Sequence, residues 1–375
     1  MRIGIDARLM GETGVGRYIS NLLKELALID EKNYYIIFLK KHDYADFKIP
    51  NSRFTKALAE VSWHSLTEQL VMPALLIKEK LDLVHVPYFN VPIFYPGKFI
   101  VTIHDLTILH FNTGKATTLP WMLYQLRRLG YQLILRIALK RAERIIAVSR
   151  ATKQEIIDHF KIPKEKIVVT YEGVDLKLKA QKRLINDPYF LYVGNAYPHK
   201  NLETLLVAFR KLITYNPSAS LRAGPQLTTI KLVLVGKEDY FYRRLKRLVS
   251  EKGLTSQVIF FGQAVDTELV NLYQHAVALV FPSLMEGFGL PALEALSLGC
   301  PVICSDIPVF REVLGDKVIY FPPDSDKELI SKLKMACINY ASSKESKRNS
   351  KLLSKSFSWN KMAKATLNAY QEAVS

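Results

Sequence analysis

The chain has 375 residues with an apolar content of 49%, and it exceeds the size at which a single hydrophobic core keeps growing, so we expect two domains. No apolar stretch approaches the roughly 20 residues that span a bilayer, and the three cysteines lack metal-type spacing, which excludes membrane-spanning and zinc-finger classes. The net charge of +17 exceeds what solubility requires and predicts an anionic partner or surface.

Strand-like and helix-like patterns alternate along the first half of the chain, which is typical of a parallel sheet covered by helices. Strands are predicted at 2–7, 34–39, 83–86, 99–103, 145–148 and 167–170, and helices at 16–28, 63–80, 120–141 and 152–160. The first strand begins at once, with neither a charged leader nor a cleavage site. We therefore expect no secretory signal and a cytoplasmic location, at the inner face of the membrane if the positive charge binds lipid.

The second half repeats this alternation, with strands predicted at 189–193, 231–235, 258–261, 277–281, 302–304 and 318–321. We expect an N-terminal domain at 1–178, a linker at 179–188, a C-terminal domain at 189–356 and a last helix at 357–375. Two such doubly wound domains predict a cleft between the carboxyl ends of their strands, where ligands bind. The segment 217–229 reads as an extra loop.

Gly11, Gly14 and Gly16 follow the first predicted strand and open the first predicted helix. Glycine allows the backbone to approach a phosphate closely at a helix N-terminus, although a tight turn would favour the same residues. The spacing differs from the dinucleotide pattern Gly-x-Gly-x-x-Gly, and no acidic residue follows the second strand to bind a ribose.

The acid-free segment 106–142 carries cations interleaved with Trp121, Tyr124 and Tyr131. Its cations are Lys115, Arg127, Arg128, Arg136, Lys140 and Arg141. Anionic lipid headgroups or a diphosphate-bearing acceptor would be attracted to this segment. The alternative is a solvated surface, because at about 100° per residue the cations scatter round the helix and Gly130 interrupts them. No nucleic-acid-binding module is recognisable, so we expect no nucleic acid partner.

Two residues end or follow strands at the edge facing the expected cleft. His104 ends a strand of the first domain, and Lys200 begins the helix after the first strand of the second domain. A buried structural histidine and a solvated lysine are the ordinary alternatives at these positions.

Glu286 and Glu294 lie on either side of a glycine-rich turn that opens a helix. Pro291 suits the first turn of that helix and Gly299 suits its end. Each carboxylate can accept two hydroxyl hydrogen bonds, which is how the vicinal diol of a ribose or hexose is bound. Two glutamates at this spacing also occur together by chance.

Between the two glutamates, the amide groups of Phe288, Gly289 and Leu290 point out of the positive end of the predicted helix. A phosphate can be bound there without a cationic side chain. The sequence therefore predicts a pocket for a sugar and a phosphate.

The run Pro-Ser-x-x-Glu286-Gly-Phe-Gly-Leu-Pro-x-Leu-Glu294-Ala resembles the Glu-x7-Glu motif of retaining glycosyltransferases of the GT-B fold. This is the large family of bacterial mannosyl- and glucosyltransferases of polysaccharide assembly, of the family four type. The run 194–201 resembles the family's Gly-x-x-x-Pro-x-Lys-Asn, and His104-Asp105 resembles its His-Asp pair. The matches extend from residue 2 to about 360. They imply an α/β GT-B fold with two Rossmann-like domains facing a cleft and a last helix crossing back to the first domain.

The resemblance implies a role for each site residue. Glu294 would bind the ribose of a nucleotide diphosphate sugar, Glu286 its hexose, and Lys200 the departing diphosphate. The catalytic candidates are Glu286, Lys200 and His104. The donor-binding candidates are Gly14, Gly16, Asn195, His199, Gly236, Lys237, Val265, Phe288, Gly289, Leu290 and Glu294.

One departure from the family pattern concerns charge. Arg is usual where this chain has Asn195 or His199, so one fixed charge is missing, and His199 or Arg17 would have to substitute. No Asp-x-Asp lies near the expected cleft, so we expect no metal and no cofactor. The segments 236–237 and 261–265 resemble those that line the nucleotide base and phosphate in this family, the latter through its backbone groups.

The resemblance implies transfer of a hexose to a lipid-linked or oligosaccharide acceptor, with GDP-mannose favoured over UDP-glucose as donor. Two alternatives stay open. One is a sugar-nucleotide epimerase of the same fold, and the other is a non-catalytic scaffold that binds nucleotide sugar or membrane.

Overall fold

The computed structural model describes residues 1–12, 14–111, 120–174, 183–214, 229–340 and 356–375. It divides the chain into one unit of Met1–Gly173 with Phe357–Ser375 and a second unit of Val174–Ser356. Residues 179–182 of the predicted linker, the extra loop except residue 229, and Lys115 lie outside the described residues.

The first unit contains a seven-stranded parallel sheet in the order β3-β2-β1-β4-β5-β6-β7. Its strands are β1 (Arg2–Asp6), β2 (Tyr34–Leu39), β3 (Phe54–Leu58), β4 (Leu83–Val86), β5 (Phe99–Ile103), β6 (Arg144–Ala147) and β7 (Ile167–Val169). Its helices before the terminal one are α1 (Gly14–Ile29), α2 (Lys41–Asp46), α3 (Leu66–Lys78), α4 (Thr107–His110), α5 (Trp121–Arg141) and α6 (Arg150–Phe160). The central strands are almost entirely buried, as expected of strands covered by helices on both faces.

The sequence patterns miss β3, α2 and α4. β3 is one of the two edge strands of the sheet, and of its residues only Phe54 is buried while Thr55 is exposed. An edge strand needs fewer apolar residues than a central one, so its sequence lacks the continuous apolar run that marks the others.

The C-terminal helix (Trp359–Val374) belongs to the first unit, which confirms the predicted crossing back of the last helix. The Ser358 hydroxyl caps it by accepting from the Lys361 amide, and the Tyr370 hydroxyl lies 2.7 Å from His85 Nδ1 on β4. Burial is the larger of two causes that lower the pKa of His85 to about 3, and the charge interaction with the nearby His104 is the smaller. The buried contact is therefore a hydrogen bond to a neutral ring.

The second unit contains a six-stranded parallel sheet in the order β10-β9-β8-β11-β12-β13. Its strands are β8 (Tyr189–Val193), β9 (Lys231–Val235), β10 (Val258–Gly262), β11 (Ala278–Phe281), β12 (Val302–Ser305) and β13 (Ile319–Phe321). Its helices are α7 (Leu202–Thr214), α8 (Tyr240–Glu251), α9 (Asp266–His275), α10 (Leu290–Ser297), α11 (Pro308–Leu314) and α12 (Asp326–Asn339). Because all strands run the same way, the segments that follow β8, β9, β10 and β11 emerge at one edge of the sheet.

The three cysteines are free and buried, as expected of small apolar residues. Within the described ranges, no helix combines the length and apolar character needed to cross a membrane.

Candidate functional site

Lys200 and Glu286, predicted from separate motifs, form one ion pair at the carboxyl edge of the second sheet. Lys200 Nζ donates to Glu286 Oε1 at 2.7 Å, and the Ser283 hydroxyl donates to the same oxygen at 2.7 Å. The backbone amide of Leu284 donates to the His199 carbonyl at 2.8 Å and joins the two loops. The side chains of the pair are only 13% and 10% exposed, so water screens them weakly.

This pairing leaves hydrogen-bonding capacity on both partners. Glu286 Oε2 accepts no hydrogen bond from any residue that the structure describes, so it can accept one from a sugar hydroxyl. An ammonium group has three N–H donors, and Lys200 gives one of them to Glu286. The others can donate to phosphate oxygens.

Glu294 lies one turn into α10, as predicted, and is only 4% exposed. Its Oε2 accepts from the Tyr273 hydroxyl at 3.1 Å. Gly289 precedes the helix with φ +89°, and a Cβ there would lie 2.7 Å from the Phe310 ring. Only glycine fits this turn, which sets the direction in which α10 begins.

Gly194 and Gly236 hold the segments after β8 and β9 close together. A Cβ on Gly236 would lie 2.2 Å from the Gly194 carbonyl oxygen, which also accepts from the Tyr242 hydroxyl at 2.7 Å. Gly236 is thus required by backbone packing, whatever it contacts in a ligand. Lys237, the residue after Gly236, is exposed. The Tyr197 backbone amide donates to Asn195 Oδ1 at 3.3 Å.

Val265 uses both of its backbone polar groups within the protein. Its amide donates to Glu268 Oε2 at 3.0 Å, and its carbonyl accepts from the Leu269 amide at 2.9 Å, which together begin α9. The predicted backbone contact of Val265 to a nucleotide base would have to displace one of these two hydrogen bonds. The Val265 side chain is 64% exposed and offers an apolar contact instead.

His104 lies in the first unit and contacts protein groups through both ring nitrogens. Nδ1 is 3.2 Å from Glu172 Oε1, and Nε2 is 3.1 Å from the Pro87 carbonyl oxygen. The Tyr18 ring meets the imidazole edge-on at 5.0 Å between centroids. A substrate contact by His104 would therefore require one of these partners to be exchanged.

The two glycines that begin α1 differ in their surroundings. A Cβ on Gly16 would lie 2.3 Å from the Met10 carbonyl oxygen, so that position requires glycine for packing. Gly14 has no atom within 4 Å of its would-be Cβ among the residues described, so packing does not require glycine at that position.

Sequence reasoning gave no role to Ser283, Tyr273 or Glu172, although each holds a predicted site residue. Ser283 stands inside the recognised motif, so its place could have been noticed. Tyr273 and Glu172 are distant in sequence from their partners, and no local pattern marks them.

Comparison with protein families covers nearly the whole chain in two pieces. Residues 13–178 match Glycosyltransferase Family 4, and residues 175–352 match Glycosyl transferases group 1. Both halves of the chain are glycosyltransferase domains.

Two bacterial relatives are similar to this chain along most of their length. The O-antigen chain mannosyltransferase RfbU of Salmonella typhimurium is 27% identical over 88% of this chain and 89% of its own. The O-antigen chain mannosyltransferase B of Escherichia coli is 29% identical over 96% of each chain.

Among solved structures, the sucrose-phosphate synthase of Thermosynechococcus elongatus aligns with a TM-score of 0.78 at 20% identity. The alignment covers 99% of this glycosyltransferase chain and 98% of the synthase. At this identity the likeness concerns the fold alone, and it confirms the predicted GT-B class with two Rossmann-like parallel-sheet domains.

Proposed function

We propose that this protein is a retaining glycosyltransferase that moves a hexose from a nucleotide diphosphate sugar to a lipid-linked or oligosaccharide acceptor in cell-envelope polysaccharide synthesis. The observation that carries the proposal is the ion pair of Lys200 with Glu286, followed by the buried Glu294 one turn into the next helix. GDP-mannose is favoured as donor, with UDP-glucose next, because the O-antigen relatives are mannosyltransferases.

Each charged group has a part in the proposed transfer. Glu294 binds the ribose hydroxyls, and Glu286 Oε2 accepts from a hexose hydroxyl while its charge favours the developing oxocarbenium ion. Lys200 and the N-terminus of α10 stabilise the diphosphate as its bond to the anomeric carbon breaks. His104 contacts the transferred sugar or the acceptor once Pro87 or Glu172 yields a ring nitrogen.

The proposed mechanism retains configuration and uses no metal or other cofactor. Glu286 Oε1 is held by Lys200 and Ser283, and the proposed role of Oε2 is to accept from a hexose hydroxyl. We therefore expect front-face attack by the acceptor hydroxyl, assisted by the departing phosphate, in place of a covalent intermediate. The chain does contain Asp324-Ser325-Asp326 after β13. There Asp326 pairs with Lys211 at 2.6 Å, and Ser325 caps α12, so these groups serve the helix.

A donor screen tests this function. Purified protein should hydrolyse or transfer from GDP-mannose in preference to UDP-glucose, with undiminished rate in EDTA, and proton NMR of the product should show the donor's anomeric configuration. Activity lost in EDTA and restored by Mg²⁺, or an inverted linkage, would contradict the mechanism. Release of an interconverted free sugar nucleotide would indicate an epimerase, and tight donor binding without turnover would indicate a scaffold.

We further propose that α5 contacts an anionic membrane at the cytoplasmic face. Between residues 121 and 133 it carries a set of large apolar side chains, each more than half exposed: Trp121, Met122, Leu123, Leu126, Leu129 and Leu133. Arg127, Arg136 and Lys140 are exposed on the same helix. Arg128 and Arg141 instead donate to backbone carbonyls of the first unit, at 2.8 and 2.7 Å, and anchor the helix.

Vesicle binding should depend on both the apolar and the cationic side chains of α5. Wild-type protein should co-sediment with phosphatidylglycerol vesicles more than with phosphatidylcholine vesicles, and less in 1 M salt, where the Debye length falls from about 10 to about 3 Å. Leu126→Glu should abolish binding, whereas Leu28→Glu, at another exposed leucine of the same unit, should not. Equal binding by both variants, or indifference to lipid charge, would make α5 an ordinary solvated surface.

A further inference from the structure

A group of metal-type side chains lies in the first unit where α4 and α6 meet. These helices follow the neighbouring parallel strands β5 and β6, so they begin side by side at the same edge of the sheet. The group consists of His110 at the end of α4 with Glu155 and His159 on α6. None of the three has a part in the proposed transfer.

The helix α6 brings Glu155 and His159 together. The Ser149 hydroxyl accepts from the Thr152 amide at 3.0 Å and fixes where the helix begins. Residues four apart on a helix lie one above the other. The carboxylate and the imidazole are therefore neighbours on one face of α6.

His110 meets this pair from α4. Its Nε2 donates to Glu155 Oε1, and its ring meets the His159 ring nearly edge-on with 5.2 Å between centroids. One ligand atom from each of the three side chains lies within 4.8 Å of the others. Ligand atoms held at about 2.1 Å by one tetrahedral ion are about 3.4 Å apart, so small rotations of the side chains bring all three to one ion. Both histidines are exposed and Glu155 is partly exposed, so an ion reaches them from solvent without movement of the backbone.

A hydrogen bond between two helices would account for His110 and Glu155 alone. It gives no part to His159, whose ring nitrogens make no hydrogen bond with any residue that the structure describes. Asp105 adds a second carboxylate charge that acts on Glu155. Within the described ranges, no other three His, Cys, Asp or Glu side chains gather their ligand atoms so closely. Nitrogen ligands beside two carboxylate charges favour a cation at this place.

The donor set indicates the class of metal. Imidazole nitrogens suit Zn²⁺ and the neighbouring transition metals, whereas Mg²⁺ and Ca²⁺ prefer oxygen ligands alone. Two histidines and one carboxylate are a three-residue set that binds Zn²⁺, with water at the fourth position. We propose that His110, Glu155 and His159 form a binding site for a divalent transition metal such as Zn²⁺, which clamps α4 to α6.

The clamp stabilises a short helix that supports a longer one. α4 has four residues, which is too short for a helix to be stable by itself. Arg128 of α5 donates to the Leu109 carbonyl at 2.8 Å, so α5 is anchored on α4. A metal that joins His110 to α6 therefore also holds the anchor of α5. It takes no part in the bond that breaks during transfer, so the reaction rate expected to persist in EDTA is unaffected by its removal.

Metal binding to the full chain without a histidine tag tests the site and needs no sugar donor. One Zn²⁺ per chain should bind in calorimetry, Co²⁺ should give the strong visible absorption of a four-coordinate ion, and Mg²⁺ should not compete. Glu155→Gln and His159→Gln should each weaken Zn²⁺ binding at least about tenfold, since even the loss of a group that only orients a ligand costs that much. His42→Gln is the matched control and should bind like the wild type, because His42 is an exposed histidine of the same unit, with Nδ1 3.5 Å from Asp43 Oδ1.

Hydrogen exchange tests whether the metal acts as a clamp. Zn²⁺ should slow amide exchange of residues 107–111 in the wild type and leave it unchanged in His159→Gln. This variant breaks no hydrogen bond of the described chain, and circular dichroism establishes that it is folded. Equal Zn²⁺ affinity of His159→Gln and His42→Gln, or competition by Mg²⁺, would overturn the site. A thiolate charge-transfer band with Co²⁺ would also overturn it, in favour of the cysteines. Zn²⁺ binding that leaves the exchange of α4 unchanged in the wild type would overturn the clamp.

Discussion

Replacement of Lys200 by Met should lower kcat by about 10²–10³-fold, the range seen when one group that stabilises transition-state charge is removed. The ammonium lies 2.7 Å from Glu286 Oε1, so Met removes the cation proposed for the diphosphate and also leaves a largely buried carboxylate unpaired. Both effects oppose departure of the phosphate. Single-turnover rates with the donor identified by the screen measure the loss without interference from product release.

Lys211→Met is a matched control, because Lys211 also pairs with a carboxylate of the second unit, Asp326, at 2.6 Å. That pair is more exposed, so its loss should leave kcat within about twofold of the wild type. The double variant Lys200→Met with Glu286→Gln should be little slower than the worse single variant, because residues that act as a unit are not additive. A Lys200→Met enzyme with normal kcat would remove Lys200 from the mechanism.

The central strands were readable from the sequence because they are buried on both faces and form continuous apolar runs such as Tyr34–Leu39. β3 was missed because the run Phe54-Thr-Lys-Ala-Leu is interrupted by polar residues. The other edge strand, β7, also has a single buried residue, but its run Ile167–Val169 is wholly apolar and was predicted. The helix α10 was predicted with its first-turn proline and terminal Gly299, whose φ of +79° is the left-handed conformation expected there.

The site was only partly readable because contacts between distant residues leave no local pattern. Motifs named Lys200 and Glu286 separately, yet their ion pair joins positions 86 residues apart and depends on the fold. Gly16 and Gly236 looked like ligand contacts, and the structure adds a packing reason for each.

Replacement of Glu294 by Gln should weaken donor binding by about 1.5–3 kcal/mol, or roughly 10- to 100-fold in Kd, because a charge-assisted acceptor pair for the ribose hydroxyls is lost. The fold should survive, since the glutamine carbonyl can still accept from the Tyr273 hydroxyl. Calorimetry with GDP and with UDP measures the change directly, and the nucleotide that matches the donor should lose the most affinity.

Glu286→Gln separates the two carboxylates in the same experiment. Its proposed partner is the hexose, so the bare nucleotide should bind this variant nearly as well as the wild type while turnover falls. Glu203→Gln is the control for the loss of a carboxylate charge, because Glu203 pairs with Arg244 on the exposed surface of the second unit. If GDP and UDP bind Glu294→Gln normally and Glu286→Gln poorly, the ribose and hexose assignments must be exchanged. Because Glu286 already holds Lys200 through Oε1, an exchanged assignment would place the ribose beside the cation and move the diphosphate away from it.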